Sequence, residues 1–377
     1  MDYAKLEESV YSQVFNRLPV CIERGEGAYV WDSNGKKYLD FFAGIAVLSL
    51  GHCHPKVTKT IVGQAGKLVH TSNWVYTKPQ LELAEKLQEL SGMGKVFFTN
   101  SGSESVECAI KLSRKISGKK EVISFAQGFH GRSLGALSLT YTEKYRKPFM
   151  LGDKKFVEYN NVDAIQEAVT KETGAVIIEP IQGEAGVIIP DAGYLKAVRD
   201  LTADKGVLLI VDEVQTAFGR SGSMFAFQKE KISPDIVCVA KGMGSGFPIG
   251  ATIFAQGLDF EKGEHGGTFP GSPLACAVAK TVIDVIEEEY LIENSLKMGG
   301  KLKSGISGLG FDVRGRGLMI AFEAEGRNTV EELLAEKVLT INSGDAVRVL
   351  PPLNINESHV KEFIEKLSKV KNQHGRI

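Results

Sequence analysis

The stretch 207–214, VLLIVDEV, is the most apolar run of the chain, and 235–246, DIVCVAKGMGSG, is a second such run that breaks into glycines after Lys241. An apolar run of this length without polar alternation has the pattern of a strand buried on both faces of a sheet. KVFFT (95–99), EVISF (121–125), AVIIEPI (175–181) and ATIFAQ (251–256) share that pattern. Segments of helical period, such as Tyr194 to Lys205, separate them. The middle of the chain therefore reads as an α/β unit, a mainly parallel sheet with crossover helices.

In an open sheet of this kind ligands sit at the carboxyl ends of the strands. Two of the strand ends carry Asp212 and Lys241, a carboxylate and an amine. Desolvating Asp212 without a cationic partner would be costly. The pair fits a structural salt bridge, and it fits equally the two groups that pyridoxal phosphate requires: a lysine to link it, and a carboxylate to keep its pyridine nitrogen protonated.

Outward from this centre the pattern changes. Near the start, GAYVWDSNGKKYLDF has two short apolar runs around Asp32-Ser33-Asn34-Gly35, a hairpin signal because Asn-Gly accepts positive φ. After Ser272 comes a long helical stretch to about Glu289, then FDVRG, GLMIAFEA, a helical TVEELLAEKV, AVRVL and a final amphipathic helix over 357–370. We expect three segments: 1–60 as the N-terminal part of a small α+β domain, 61–272 as the large domain, and 273–377 as a linking helix and the C-terminal part of the small domain. The 377 residues exceed what a single core usually holds, about 250 to 300.

Composition narrows the class of function. Hydrophobic residues are 43% and charged residues 24%, ordinary for a compact protein, and a net charge of -1 provides no basic field for nucleic acid. The N-terminus MDYAKLEESVYSQVF is too charged for a signal peptide, and no apolar run is long enough for a bilayer, so no membrane partner and a cytoplasmic location are expected. Cys21, Cys53, Cys108, Cys238 and Cys276 are odd in number and scattered, so we read them as reduced and mostly buried.

Further segments bear on the site. In KVFFTNSGSESVECAIKL a strand leads through Ser101-Gly102-Ser103-Glu104 into a helix, which makes either an anion site at a helix N-terminus or an ordinary capping box with Ser101 as cap and Glu104 completing it. Gly128-Phe129-His130-Gly131-Arg132 offers an aromatic face beside a cation: Phe129 to cover a flat ring, Arg132 to grip a carboxylate, or simply a loop aromatic and a surface arginine. His52-Cys53-His54 lacks a second ligand cluster and precedes Pro55 at a helix start, so no metal is expected. No G-x-G-x-x-G or Walker sequence occurs.

In order and spacing the chain from about Arg17 onward resembles the class III aminotransferases, a group of fold-type I pyridoxal-phosphate transferases. The segments that carry the likeness include GIAVLSLGHCHPKV, FFTNSGSESVE, GFHGRSLGALS, IIEPIQGEAGV, LLIVDEVQTAFGRSG, PDIVCVAKGMGSGFPIGA, GGTFPGSPLACA and VRVLPPLNI. The resemblance implies pyridoxal 5'-phosphate as cofactor, linked to Lys241, with Asp212 at the pyridine nitrogen. It implies Val214 and Phe129 on the two ring faces, Gln215 at the phenolic oxygen, and Gly102 and Ser103 at the phosphate. Thr268 resembles a threonine that reaches the phosphate from a neighbouring subunit, which implies a homodimer. Arg132 resembles the arginine that holds the distal carboxylate, and Arg348 the one that binds the α-carboxylate of the keto acid, masked by Glu184 when idle.

Pro270, Ser272 and Ala217 depart from the family's usual Gly, Asn and Gly, and Phe15 stands where Tyr is frequent. Ile45 occupies a place where ornithine-specific members carry Tyr. The resemblance thus implies an ω-aminotransferase with 2-oxoglutarate as acceptor. N2-acetylornithine is the expected donor, ahead of 4-aminobutyrate, ornithine, succinylornithine, succinyldiaminopimelate or a carrier-bound lysine precursor. An aminomutase of the same fold is the other reading, separable by its independence of keto acid.

Overall fold

The computed structural model describes residues 3–151 and 155–374. Its centre is a seven-stranded sheet in the spatial order Lys95–Thr99, Gly250–Phe254, Ile236–Val239, Leu208–Asp212, Thr173–Ile178, Glu121–Phe125 and Phe156–Val157. The last five of these run parallel. Gly250–Phe254 is antiparallel to both its neighbours, which corrects the expectation that ATIFAQ joins the parallel set. A strand buried on both faces has the same apolar run in either direction. Here the link from Val239 to Gly250 is too short for the crossover of a dozen or more residues that a parallel pair needs. The short strand Phe156–Val157 has no such run and was not anticipated.

Side-chain alternation explains why the runs are uninterrupted. Leu209, Val211, Val237 and Val239 pack into one core cluster, while Ile210, Ile236 and Cys238 pack into a second on the opposite face, with the helix Gly102–Ser117. The helices Lys78–Ser91 and Tyr194–Asp204 cover the first face with Leu83, Leu87, Leu195 and Val198, and the helix Pro273–Glu288 packs on Lys78–Ser91. Each buried aliphatic contributes about 1.5–3 kcal/mol, against about 0–1 for an exposed ion pair, so the sheet and its two layers dominate stability. The strand ends are held correspondingly firmly.

Two smaller sheets flank this centre. Ile22–Glu26, Tyr29–Asp32 and Lys37–Asp40 form an antiparallel meander, joined by Val338–Leu339, which pairs parallel with Lys37–Asp40. Val313–Arg316, Met319–Glu323, Ala346–Val349 and Ile341–Ser343 form the other. In the turn between Tyr29–Asp32 and Lys37–Asp40 only Gly35 takes positive φ, at 76°, and Asn34 instead donates its backbone amide to Asp32 Oδ1 at 2.9 Å. The hairpin signal was right about place and half right about mechanism. The helix Leu291–Gly308 was not read from the sequence, and the last helix extends over Glu357–His374. Among the described residues no helix is long and apolar enough to cross a membrane.

Candidate active site

Three parallel strands end side by side, with Ile178 opposite Val211 and Asp212 opposite Cys238. Their first residues beyond or at the edge are Glu179, Asp212 and, after a short step, Lys241. The three border a cavity of about 370 Å³. Lys241 is half-buried and sits at φ 38°, a left-handed conformation that costs a non-glycine residue about 1–3 kcal/mol and is typical of functional sites. Burial lowers the pKa of its amine; the charges of Glu184 and Asp212 partly restore it, and Arg348 adds to the depression.

Asp212 does not ion-pair with Lys241. Its partner is His130, whose Nδ1 lies 2.7 Å from Asp212 Oδ2, with both side chains buried. This answers the cost of burying the carboxylate differently from either sequence reading. Burial works against a charge on His130, but the hydrogen bond and charge of Asp212, with the charge of Glu179, outweigh it and raise the pKa. The His130 backbone amide is fixed by Thr140 Oγ1 at 2.9 Å. Sequence reasoning quoted His130 without a role, and missed Glu179 altogether. The only signal for Glu179 was a carboxylate directly after the apolar AVII run, the same signal that singled out Asp212. Burial pushes the Glu179 carboxyl up to about 7, with His130 opposing and Asp212 reinforcing.

The remaining walls suit a flat phosphorylated ring. Ser101 Oγ caps the helix Gly102–Ser117 by accepting from the Glu104 amide at 3.2 Å, while Glu104 Oε2 reaches the Asn100 amide at 2.6 Å, one residue beyond the expected box. The amides of Gly102 and Ser103 are first-turn groups with no intrahelical acceptor, a ready site for phosphate oxygens. Val214 packs so closely on Gly102 that a Cβ there would meet its Cγ1 at 2.8 Å. Phe129 and Val214 both line the cavity. Gln215 is 8% exposed and its Oε1 is buried without a hydrogen-bond partner. Since an amide's O and N are interchangeable by a flip, this is an unspent polar group on the cavity wall, able to bond a phenolic oxygen. The residues present fit pyridoxal phosphate.

Behind Glu184, which lines the cavity, Arg348 is 1% exposed, with Nη1 2.9 Å from Glu184 Oε1 and 3.3 Å from the Gly183 carbonyl. Four other expected residues stand apart from Lys241 in the single chain. Arg132 is exposed and lies over the Tyr145 ring at 3.5 Å, with Phe129 at 5.7 Å; only its backbone amide joins the site, donating to Ser103 Oγ. Thr268 is exposed and borders a neighbouring hollow with Asn100 and Glu104. Phe15 and Ile45 line a separate groove of about 400 Å³ with Arg17 and Ile341. Ile45 is turned there by a left-handed backbone, φ 64° and ψ 58°, which a β-branched residue rarely adopts.

Of the departures, Ser272 caps the helix Pro273–Glu288 through its Oγ, and Ala217 is buried in the core. His52 and His54 are occupied by Asp40 at 2.7 Å and Glu289 at 3.7 Å.

A strand-end lysine and a buried carboxylate facing a helix N-terminus across this sheet define the class: a fold-type I enzyme dependent on pyridoxal phosphate. Residues 10–370 match the family Aminotransferase class-III, and the chain belongs to it. It is 45% identical to the acetylornithine aminotransferase of Archaeoglobus fulgidus over 97% of this chain and 99% of the relative. The acetylornithine aminotransferase of Methanocaldococcus jannaschii is also 45% identical, with 98% of each chain covered. Among solved structures, the ornithine aminotransferase of Toxoplasma gondii superposes with a TM-score of 0.94 at 31% identity, covering 99% of this chain and 95% of that one. The acetylornithine aminotransferase of Elizabethkingia anophelis superposes at 0.87 with 32% identity, covering 98% of each.

Proposed function

We propose that the protein transfers the terminal amino group of N2-acetylornithine to 2-oxoglutarate, giving N-acetylglutamate 5-semialdehyde and glutamate, a step of arginine biosynthesis, in the cytoplasm. One observation carries the two-substrate reading: the buried Arg348 is covered by Glu184 at 2.9 Å beside the Lys241 cavity. Such a cation can be withheld from an ω-amine, whose reacting carbon has no carboxylate, and released to the α-carboxylate of a keto acid. The relatives named acetylornithine aminotransferases support the choice of donor.

Bound pyridoxal phosphate supplies the electron sink and carries the amino group between the two half-reactions. Lys241 would hold it through its amine, and the same Nζ is the base available to take a proton from the substrate carbon bearing nitrogen. Asp212, held by His130, would keep the pyridine nitrogen protonated. Phe129 and Val214 would hold the ring plane, Gln215 would bond the phenolic oxygen, and Gly102 and Ser103 would hold the phosphate. Arg132 would receive the distal carboxylate by swinging its side chain off the Tyr145 ring, over which it now lies. Initial rates with 2-oxoglutarate test the donor: kcat/KM for acetylornithine is expected to exceed that for ornithine and 4-aminobutyrate by at least about tenfold. A higher value for either competitor would reassign the substrate. Turnover without keto acid would favour an aminomutase.

We also propose a homodimer in which Thr268 completes the partner's phosphate site. The support is a bare apolar surface beside it: Trp74 is 95%, Tyr76 93% and Phe269 65% exposed. The two segments are joined, since the His70 ring lies tilted against Phe269 at 5.2 Å and Asn73 donates to the Pro270 carbonyl at 3.0 Å. Patches of this kind mark interfaces. Dilution should release subunit and cofactor together, seen by light scattering alongside visible absorbance. Tight cofactor retention by a demonstrated monomer would contradict the shared site.

A further inference from the structure

Glu179 follows the strand Thr173–Ile178 and spends its two carboxylate oxygens on two different loops. Oε1 accepts from the Phe129 amide at 2.9 Å, and Oε2 from the Gly183 amide at 3.1 Å. Phe129 lies in the loop whose next residue, His130, holds Asp212. Gly183 lies in the turn whose next residue, Glu184, covers Arg348. That turn is gripped from every side: Arg348 donates to the Gly183 carbonyl, and the Ser343 hydroxyl donates to the Glu184 carbonyl. The turn packs directly against the Gln215 amide, which a Cβ on Gly183 would meet at 2.5 Å. Glu179 is 8% exposed, so an amide that lost its carboxylate partner would find little water to replace it. In the ionised form of Glu179 both bonds are charge-assisted, the stronger kind.

We propose that Glu179 is a positioning residue that yokes the cofactor face to the carboxylate gate: one carboxylate sets the spacing between the Phe129–His130 loop and the Gly183–Glu184 turn, so a change at Arg348 reaches the ring. The proposal rests on the functional reading above for the identity of the two sides. Glu179→Gln is the incisive variant. It keeps the shape and one acceptor, and sets an NH₂ donor against the other backbone amide.

Two readouts are taken on the holoenzyme: the visible circular dichroism of the bound cofactor, and the single-turnover rates with glutamate and with acetylornithine. The expected result is a changed dichroic band together with a glutamate-to-acetylornithine rate ratio raised by about tenfold, the size of one lost charge-assisted bond. Change in only one readout, or in neither, overturns the proposal.

Should the variant fail to fold, hydrogen exchange on the unmutated holoenzyme decides. At glutarate concentrations that inhibit the glutamate half-reaction, protection is expected to change in peptides covering 126–132 as well as 181–186, and unchanged exchange over 126–132 overturns it. A wild-type enzyme inactive on acetylornithine would sink the donor assignment alone. The dichroism and the glutamate half-reaction would still judge Glu179.

Discussion

Lys241→Ala is expected to lower turnover by at least about 10³-fold, the range that a nucleophile doubling as general base accounts for. The amine stands just beyond the buried strand Ile236–Val239, in a cavity whose walls depress its pKa chiefly by burial. A lowered amine pKa means that more of the amine is neutral near pH 7 than for an exposed lysine, and only the neutral amine can take a proton. The sign follows: wild-type activity should persist to lower pH than an ordinary lysine would permit. Alanine retains an L-residue at φ 38° and leaves the His130–Asp212 contact of 2.7 Å untouched, so the loss is chemical in origin. Single-turnover absorbance with cofactor-loaded variant measures it. Partial recovery on adding a small soluble amine would separate proton transfer from any structural damage. Full activity of the unrescued variant would refute the role.

For Arg348→Ala the expected result is selective. The 2-oxoglutarate half-reaction loses roughly 30-fold or more in kcat/KM, corresponding to the about 2–5 kcal/mol of a truncated buried charge contact, while the acetylornithine half changes little. The argument is geometric. Arg348 lies on the strand Ala346–Val349 between Ala321 and Ile341, apolar neighbours that offer its guanidinium no alternative partner, so its charge is directed at Glu184 and the Gly183 carbonyl. Its Nε is buried without a partner, which leaves a donor unspent for a second carboxylate oxygen. Glu184→Ala should act in the opposite sense, raising the glutamate half relative to the acetylornithine half, because the cation is then permanently uncovered. Equal damage to both halves in Arg348→Ala, or an unmoved ratio in Glu184→Ala, would show that the two residues form a structural pair and no gate.

What was legible in the chain depended on the physics each signal reports. KVFFT and EVISF coincide with the strands Lys95–Thr99 and Glu121–Phe125, and the helix Pro273–Glu288 begins behind its Ser272 cap, because burial on two faces and capping leave marks on adjacent residues. The hydrophobic run of Gly250–Phe254 was read correctly as a strand and wrongly as parallel. Burial does not record direction. Glu179 was passed over although it directly follows its strand, much as Asp212 closes its own, since nothing local distinguishes a carboxylate that bonds two remote amides from one in solvent.

By itself, then, the sequence determined the alternation of buried strands and covering helices, and with it the strand ends at which Asp212 and Lys241 had to emerge. Those are consequences of short-range periodicity. Only the tertiary structure decided the partners. His130 meets Asp212 across 82 residues, Glu184 meets Arg348 across 164, and the side chain of Arg132 lies over Tyr145, away from the cavity. A buried charge must be compensated by whatever the folded chain brings within about 3 Å, and that identity resides in the packing of separate elements, which no stretch of consecutive residues encodes.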